Sequence, residues 1–162
     1  LFVGVVAAQT LRSQGIPVSL KWPNDVVVEV EGTTRKLGGI LSELHGDYVV
    51  IGIGLNVDIR DDELPTSDAI SLRQLGAQIS REELINDVVQ GIVAIDESAT
   101  LADYRTLCST VGRSVVVTTV TGESLSGIVD GVGDDGALLL RDATHIAHHI
   151  MVGDVQHVRA LS

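Results

Sequence analysis

The segment Lys21-Trp22-Pro23-Asn24-Asp25 gathers a cation, an indole, an amide and a carboxylate into consecutive positions. Pro-Asn-Asp is typical of a turn, so these side chains are predicted to stand where a strand ends and to project into a loop. Two interpretations are open on these residues alone. Asn24 and Asp25 either form a turn beside a core tryptophan, or they carry chemistry.

A second segment, Arg35-Lys36-Leu37-Gly38-Gly39, follows within one hairpin. Antiparallel pairing would bring Lys36 close to the corner at Asn24 and Asp25, and the two glycines would let a ligand lie against bare backbone. A lysine beside a carboxylate suits an acyl-phosphate reaction. The cation neutralises charge that develops on the phosphate, and the carboxylate helps to deprotonate an incoming amine. The two segments together favour a functional site.

The sequence around both segments predicts one helix followed by a meander of four strands. Apolar side chains at helical spacing predict a buried helix over 2–14, which Gly15 ends. β-Branched runs separated by turn residues predict the strands, the last of them buried on both faces because it is apolar almost throughout. They are predicted over 18–22, 26–30, 36–44 and 48–57.

Helices follow the meander, and a second group of strands ends the chain. After a loop over 58–68, a short helix is predicted over 70–75, and Ser80 with Glu83 forms a capping box for a longer helix to about 97. A helix over 101–107 precedes five short strands, predicted over 115–120, 125–132, 137–141, 146–151 and 155–159. The predicted fold class is α+β, with a mixed or antiparallel sheet packed by helices over 1–110 and a small β-barrel over 111–162.

Composition excludes several classes of protein. The 162 residues include 22 acidic and 11 basic side chains, for a net charge of -11, and 44% are apolar. This chain is too hydrophobic to be disordered, and its charge repels nucleic acid and anionic lipid. Its longest apolar runs fall short of the roughly 20 residues that span a bilayer. A single cysteine, Cys108, fits a buried thiol in a reducing compartment, so a cytoplasmic location is expected.

Three segments of the sequence, at 21–25, 35–44 and 49–58, resemble in order and spacing those of the biotin protein ligase family. The resemblance covers nearly the whole chain. It implies the later part of a class II synthetase-like catalytic domain, followed by an SH3-like C-terminal barrel. It also implies a function: activation of biotin by ATP with Mg²⁺ to biotinyl-5'-AMP, then transfer of biotin to one lysine of a biotin carboxyl carrier protein. A homodimer is implied as well.

The resemblance assigns roles to individual residues. Lys36 and Asp25 match the catalytic lysine and the carboxylate that orients or deprotonates the acceptor amine. A second group matches positions that bind biotin, namely Lys36, Gly39, Ile40, Leu41, Gly52 and Gly54. A third group matches positions that hold the nucleotide or support its site, namely Asn24, Asn56, Lys21 and Trp22.

Members of the family also carry an upstream Gly-Arg-Gly-Arg loop that closes over the adenylate, and these residues contain no such run. The sequence is therefore expected to be part of a longer catalytic chain and incomplete by itself. DNA binding is not indicated. No metal site is predicted, because the histidines at 145, 148, 149 and 157 have no cysteine or paired carboxylate at a recognised spacing.

Two other functions stay open beside the ligase. One is a non-catalytic regulatory module that binds biotin or its adenylate without turnover. The other is a lipoate ligase-like acyltransferase, which shares the general fold by resemblance. The linkage of the Lys-Trp-Pro-Asn-Asp and Gly-Gly-Ile-Leu segments favours biotin over lipoate.

Overall fold

The computed structural model describes residues 1–94 and 97–157, and of 97–100 and 157 it describes the backbone alone. Two predicted segments fall partly outside this range. The long helix was expected to run to about 97, but it ends at Val93 with Ala94 as its C-cap, before the undescribed residues 95 and 96. The last strand was expected to run through 158 and 159, which also lie outside the described residues. The described residues form an α+β fold with two antiparallel sheets, so the predicted fold class is confirmed.

The first sheet is the predicted meander of four strands in the order β1-β2-β3-β4, each antiparallel to the next. Its strands are β1 Val18–Lys21, β2 Asp25–Val30, β3 Thr33–His45 and β4 Tyr48–Leu55. The turn between β3 and β4 contains Gly46, whose φ of 57° lies in the left-handed region that favours glycine.

A β-bulge interrupts the pairing of β2 with β3. Asp25 faces Gly39 and Val26 faces Gly38, but Val27 faces Lys36, so Leu37 is the extra residue on β3. The Leu37 side chain is fully buried. A one-residue shift of register moves every later side chain of a strand to the other face of the sheet. The bulge therefore decides on which face Lys36 lies.

Within residues 1–94 and 97–157, three α-helices accompany this sheet: α1 Phe2–Ser13, α2 Arg81–Val93 and α3 Glu97–Leu107. The predicted capping box at the start of α2 is confirmed, because the Ser80 side chain accepts from the Glu83 N–H and Glu83 reaches back to the Ser80 N–H. α1 packs against β1 and β2 and also contacts α2 and α3. The helices thus cover the half of the sheet that holds β1 and β2.

Two predictions about local structure are wrong. Residues 70–75 form turns and not a helix, because the Leu72 and Arg73 N–H groups donate to the carbonyls of Asn56 and Val57 beyond the end of β4. β4 is mostly exposed and not buried on both faces. The α-helices pack mainly against β1 and β2, so this apolar strand lies at an uncovered edge.

The second sheet holds five antiparallel strands in the order β8-β7-β6-β5-β9. They are β5 Ser114–Thr119, β6 Ser124–Val132, β7 Leu138–Arg141, β8 Ala147–Ile150 and β9 Gly153–His157. Each predicted strand of this region is present within the described residues. One cluster of buried side chains runs through both sheets and includes Trp22, Tyr104 and Val115. The buried state predicted for Cys108 is confirmed.

Among the described residues, no helix is long and apolar enough to cross a membrane.

Candidate active site

An ion pair stands at the centre of the candidate site. The Nζ atom of Lys36 lies 2.5 Å from Oδ1 of Asp25, and the Nζ atom of Lys21 lies 3.9 Å from the other carboxylate oxygen. The sequence contains no lysine other than these two. Both lysines therefore converge on the Asp25 carboxylate. The side chain of Lys36 is 43% exposed to solvent, so a ligand can reach it.

Strand register explains why these three side chains meet. Lys21 and Asp25 are direct cross-strand partners, and so are Asp25 and Gly39. Directly opposed residues in an antiparallel pair point to the same face. The bulge at Leu37 makes Lys36 the partner of Val27, which lies on the face of Asp25 because the two are two residues apart. Without the bulge, Lys36 would point to the opposite face.

A cleft of about 820 Å³ opens beside the ion pair, and we call it the glycine cleft. One wall is the β3 and β4 surface, where Gly39 faces Gly54 and Leu41 faces Gly52. These four positions share the face of Asp25, and three of them carry no side chain. A Cβ atom on Gly39 would stand 3.5 Å from the Asp25 carboxylate. The bare backbone leaves room for a flat or elongated ligand to reach the pair.

A second depression of about 830 Å³ shares Asp25 and Lys36 with the glycine cleft, and we call it the polar groove. Side chains of Lys21, Thr66 and Asp68 line it. A hydrogen bond from the Thr66 side chain, with smaller contributions from Lys21 and Lys36, holds the pKa of Asp68 below its usual value. The Lys36 and Asp25 pair therefore lies where an open cleft meets a groove rich in charged and hydroxyl groups.

Asn24 and Trp22 are fixed in different ways beside the pair. The Asn24 side-chain amide donates to the Ile40 carbonyl at 2.7 Å, while the Ile40 N–H donates to the Asn24 carbonyl at 2.9 Å. Trp22 is only 1% exposed, although it contributes to the lining of the glycine cleft. Asn24 thus binds the corner to β3, and the Trp22 ring lies in the core beneath it.

The structure brings most of the predicted site residues together but not all of them. The glycine cleft is lined by Trp22, Asn24, Asp25, Lys36, Gly39, Ile40, Leu41, Gly52 and Gly54. Lys21 lines the polar groove instead. Asn56 lines neither, and its side-chain amide donates to the Ile70 carbonyl at 3.0 Å, within the connection that follows β4.

The sequence did not point to the second wall of the glycine cleft. Residues 118–120 at the end of β5 and residues 152–154 at the start of β9 face the glycine wall. Asp154 also lines the polar groove. Threonines and valines at strand ends are common, so their types carry no signal. Only the packing of one sheet against the other places them at the site.

Two histidines of the second sheet lie within hydrogen-bond distance of carboxylates. His148 Nε2 lies 2.8 Å from Asp142, and His149 Nε2 lies 3.0 Å from Asp135. Within residues 1–94 and 97–157, no three His, Cys, Asp or Glu side chains gather into a group that would hold a metal ion.

The sequence matches two family models in succession. Residues 2–56 match the Biotin/lipoate A/B protein ligase family, and residues 110–158 match the Biotin protein ligase C terminal domain. These matches include the ion pair, both glycine-bearing strands and the second wall of the cleft.

Three similar proteins illustrate the likeness. The biotin--[acetyl-CoA-carboxylase] ligase of Mycobacterium tuberculosis is 36% identical over 149 residues, covering 86% of this chain and 53% of the relative. The bifunctional ligase/repressor BirA of Bacillus subtilis is 30% identical, covering 86% of this chain and 47% of the relative. A biotin protein ligase from Aquifex aeolicus, solved in complex with biotin and ATP, shares the fold with a TM-score of 0.78, at 24% identity over 98% of this chain and 70% of that chain.

The chain spans about half the length of the curated relatives that it matches. The two family matches follow one another along the chain, and the relatives align over most of its length. The chain belongs to the biotin protein ligase family.

Proposed function

We propose that this chain carries the catalytic pair of an ATP-dependent ligase that makes biotinyl-5'-AMP and transfers biotin to a lysine of a biotin carboxyl carrier protein of the acetyl-CoA carboxylase type. One observation carries the proposal. Lys36 and Asp25 form a 2.5 Å ion pair where the glycine cleft and the polar groove meet. Membership of the family supports it.

In the first half-reaction, a carboxylate oxygen of biotin attacks the α-phosphorus of ATP. A new O–P bond forms, the bond to the leaving pyrophosphate breaks, and a mixed anhydride of biotin and AMP results. Lys36 reaches the junction of the two clefts from β3 and holds its ammonium where negative charge develops on the phosphate. Stabilising that charge lowers the barrier.

In the second half-reaction, the amine of the acceptor lysine attacks the carbonyl carbon of the anhydride. An amide bond forms, the C–O bond to AMP breaks, and AMP leaves with the electron pair. Asp25 accepts a proton from the attacking amine, since its carboxylate lines both depressions and lies within reach of either ligand. Lys36 again faces the charge that leaves on AMP.

The two depressions suit the two small substrates. The glycine cleft offers backbone and apolar surface at Ile40 and Leu41, as biotin requires, with Gly39, Gly52 and Gly54 permitting close approach. The polar groove offers Lys21, Lys36 and hydroxyl groups for the nucleotide, beside the carboxylates of Glu29, Asp68 and Asp154. Mg²⁺ enters with ATP as part of the substrate, and such ions are held largely by phosphate oxygens and water.

The nucleotide roles of Asn24, Asn56 and Trp22 rest on the family resemblance. Asn24 lies at the corner and donates to the Ile40 carbonyl of β3, whereas the Asn56 amide donates to the Ile70 carbonyl and the Trp22 indole to the Gly136 carbonyl. We propose a division into a catalytic part over 1–110 and an SH3-like domain over 111–162, a homodimer, and a location in the cytoplasm.

Calorimetric titration tests this function. The 162-residue chain and the longest chain that its gene encodes are each titrated with biotin, with and without ATP, and the product is identified as biotinyl-5'-AMP by mass spectrometry. Binding and adenylate formation by the longer chain support the ligase. Absence of binding from both chains overturns it.

The same samples separate the two alternatives. A regulatory module would bind biotin or its adenylate and leave an added carrier domain unmodified. A lipoate ligase would bind lipoate in competition with biotin and transfer it. Transfer of biotin to the carrier, unaffected by excess lipoate, excludes both.

A further inference from the structure

The corner that carries Asn24 and Asp25 is held from outside its own sheet. The Trp22 indole N–H donates to the carbonyl of Gly136 at 3.0 Å, and the Trp22 backbone N–H donates to the buried hydroxyl of Thr110 at 3.1 Å. Gly136 belongs to the turn between β6 and β7, which we call the anchor turn (residues 133–137). Trp22, three positions before Asp25, is therefore hydrogen-bonded to the anchor turn of the second sheet and to Thr110, which precedes that sheet.

The anchor turn is itself held by Arg105, near the end of α3. The Arg105 Nε donates to the Val132 carbonyl at 2.7 Å, and its Nη2 lies 2.6 Å from Oδ1 of Asp134. Inside the turn, the Gly133 N–H donates to the Ala137 carbonyl at 2.8 Å. Gly136 has a φ of +84° and presents its carbonyl to the indole. Arg105 fixes the N-terminal side of the turn, and Gly136 completes the link to Trp22.

The geometry points to Arg105 as a positioning residue for the ligase reaction: it holds the anchor turn, the turn holds the Trp22 indole, and Trp22 fixes Asp25 opposite Lys36. This inference rests on the proposed function. Arg105 does not line the glycine cleft or the polar groove, so it acts through other residues and touches no substrate in either depression.

The expected consequence is a loss of turnover without a loss of binding. The biotin-binding wall on β3 and β4 makes no use of Arg105, so KM for biotin should stay within about twofold in Arg105→Ala. Small displacements of a catalytic group cost up to about 100-fold in rate. We expect kcat for adenylate formation to fall about tenfold, because the Asp25 and Lys36 pair loses its fixed geometry.

Two control variants match the substitution. Arg141→Ala removes an arginine of the same exposure as Arg105, 41% against 40%. Both hydrogen bonds that the Arg141 side chain makes within the described residues go to Asp130, outside the anchor turn. Asp134→Asn weakens the exposed ion pair while the bond from Arg105 to the Val132 carbonyl remains. Both should keep kcat within about twofold of the original protein, since neither breaks the link to Trp22.

The order of the link is tested with Trp22→Phe, which keeps an aromatic ring and removes the N–H that Gly136 accepts. If Arg105 acts through Trp22, the double variant that combines Arg105→Ala with Trp22→Phe should lose no more activity than Trp22→Phe alone. Trp22 is the only tryptophan of these 162 residues, so its fluorescence reports on the same contact. In Arg105→Ala the emission should move to longer wavelength, and in Arg141→Ala it should not.

All kinetic constants are measured on the longest chain that the gene encodes, below the unfolding temperature of each variant. An unchanged kcat in Arg105→Ala overturns the inference while the ligase function stands, and so does an additive double variant. A fall in kcat in Arg141→Ala as large as in Arg105→Ala also overturns it, because the effect would then be general destabilisation. If the original protein forms no adenylate, the proposed function fails and this inference fails with it.

Discussion

At the scale of single residues, the corner around Asp25 gathers both lysines of an acidic chain. Two lysine cations face one carboxylate, while the chain as a whole carries a net charge of -11. A phosphate or carboxylate group at this corner is attracted by the two ammonium groups. Glu29, Asp68 and Asp154 also line the polar groove, so this attraction acts only over a short range.

Lys36→Ala should abolish adenylate formation and leave the protein folded. Removing a donor aimed at developing charge costs about 100-fold to 1,000-fold in rate. The Lys36 side chain is substantially exposed, so the free energy of unfolding should change by about 1 kcal/mol or less. The measurement is a biotin-dependent assay of adenylate formation with urea unfolding in parallel. Arg81→Ala, which removes a cation at the start of α2, serves as control. Ordinary turnover in Lys36→Ala would contradict the assigned role.

Asp25→Ala should impair transfer to the carrier more than adenylation. A positioned proton acceptor contributes about 100-fold or more to such a step, whereas the attack of a carboxylate on ATP needs none. Single-turnover assays that follow adenylate formation and carrier modification separately give the comparison. Asp25→Asn, which keeps the shape of the side chain, should show the same pattern. Equal losses in both half-reactions would instead favour a purely structural corner.

At the scale of elements, the sequence predicts the strands well but not the details that depend on tertiary packing. β-Branched runs and turn residues were sufficient to locate β1 to β4, and a capping box located α2. The predicted proximity of Lys36 to Asp25 is confirmed, although nothing in the alternation of side chains reveals that Leu37 is a bulge. Residues 70–75 have the composition of a helix, but they form turns because two of their N–H groups donate to the carbonyls of Asn56 and Val57 after β4.

The connection between β7 and β8 should make stability depend on pH. Asp142 accepts hydrogen bonds from His148, Thr144 and Ile146, and the bond with His148 is the main reason why its pKa lies well below the usual value. A carboxyl group whose pKa is depressed by folding adds stability above its unfolded pKa of about 3.9 and loses that contribution as the pH falls toward the folded value.

Asp142→Asn should therefore lower stability at neutral pH, and the difference from the original protein should shrink below about pH 4. Urea unfolding across this range measures the effect. Asp47→Asn is the control, because the described part of the chain gives Asp47 no side-chain hydrogen bond. A difference that stays constant through acid pH would show that the carboxylate charge is not responsible.

At the scale of the whole molecule, sequence reasoning fails where one part of the chain covers another. The residue types of β4 show that it is apolar but not what packs against it. In the structure, Val49 and Ile51 of β4 and Leu44 of the neighbouring β3 are exposed. The cleft wall at 118–120 was missed for the same reason, since it depends on how the two sheets meet. Such features follow from packing over long sequence distances, which a local pattern does not encode.

The exposed surface of β4 should be the contact of the proposed homodimer. Leu44 faces Val49 across the strands, Ile51 follows on the same face, and the edge of β4 offers unpaired backbone groups to a second copy. Ile51→Glu should then convert dimer to monomer, as measured by light scattering after size exclusion. Val93→Glu, at a more exposed apolar residue on α2, should leave the mass unchanged. A monomeric original protein would contradict this prediction.

The convergence of both lysines on Asp25 has a practical consequence for anyone who labels or immobilises this 162-residue chain. Within these 162 residues, amine-reactive esters find side-chain targets only at Lys21 and Lys36. A dye or a sensor chip coupled through lysine would therefore be attached at the corner itself and would block it. Coupling through an added tag keeps the corner free. If biotin binds there as proposed, it should slow the reaction of both lysines with an amine-reactive ester.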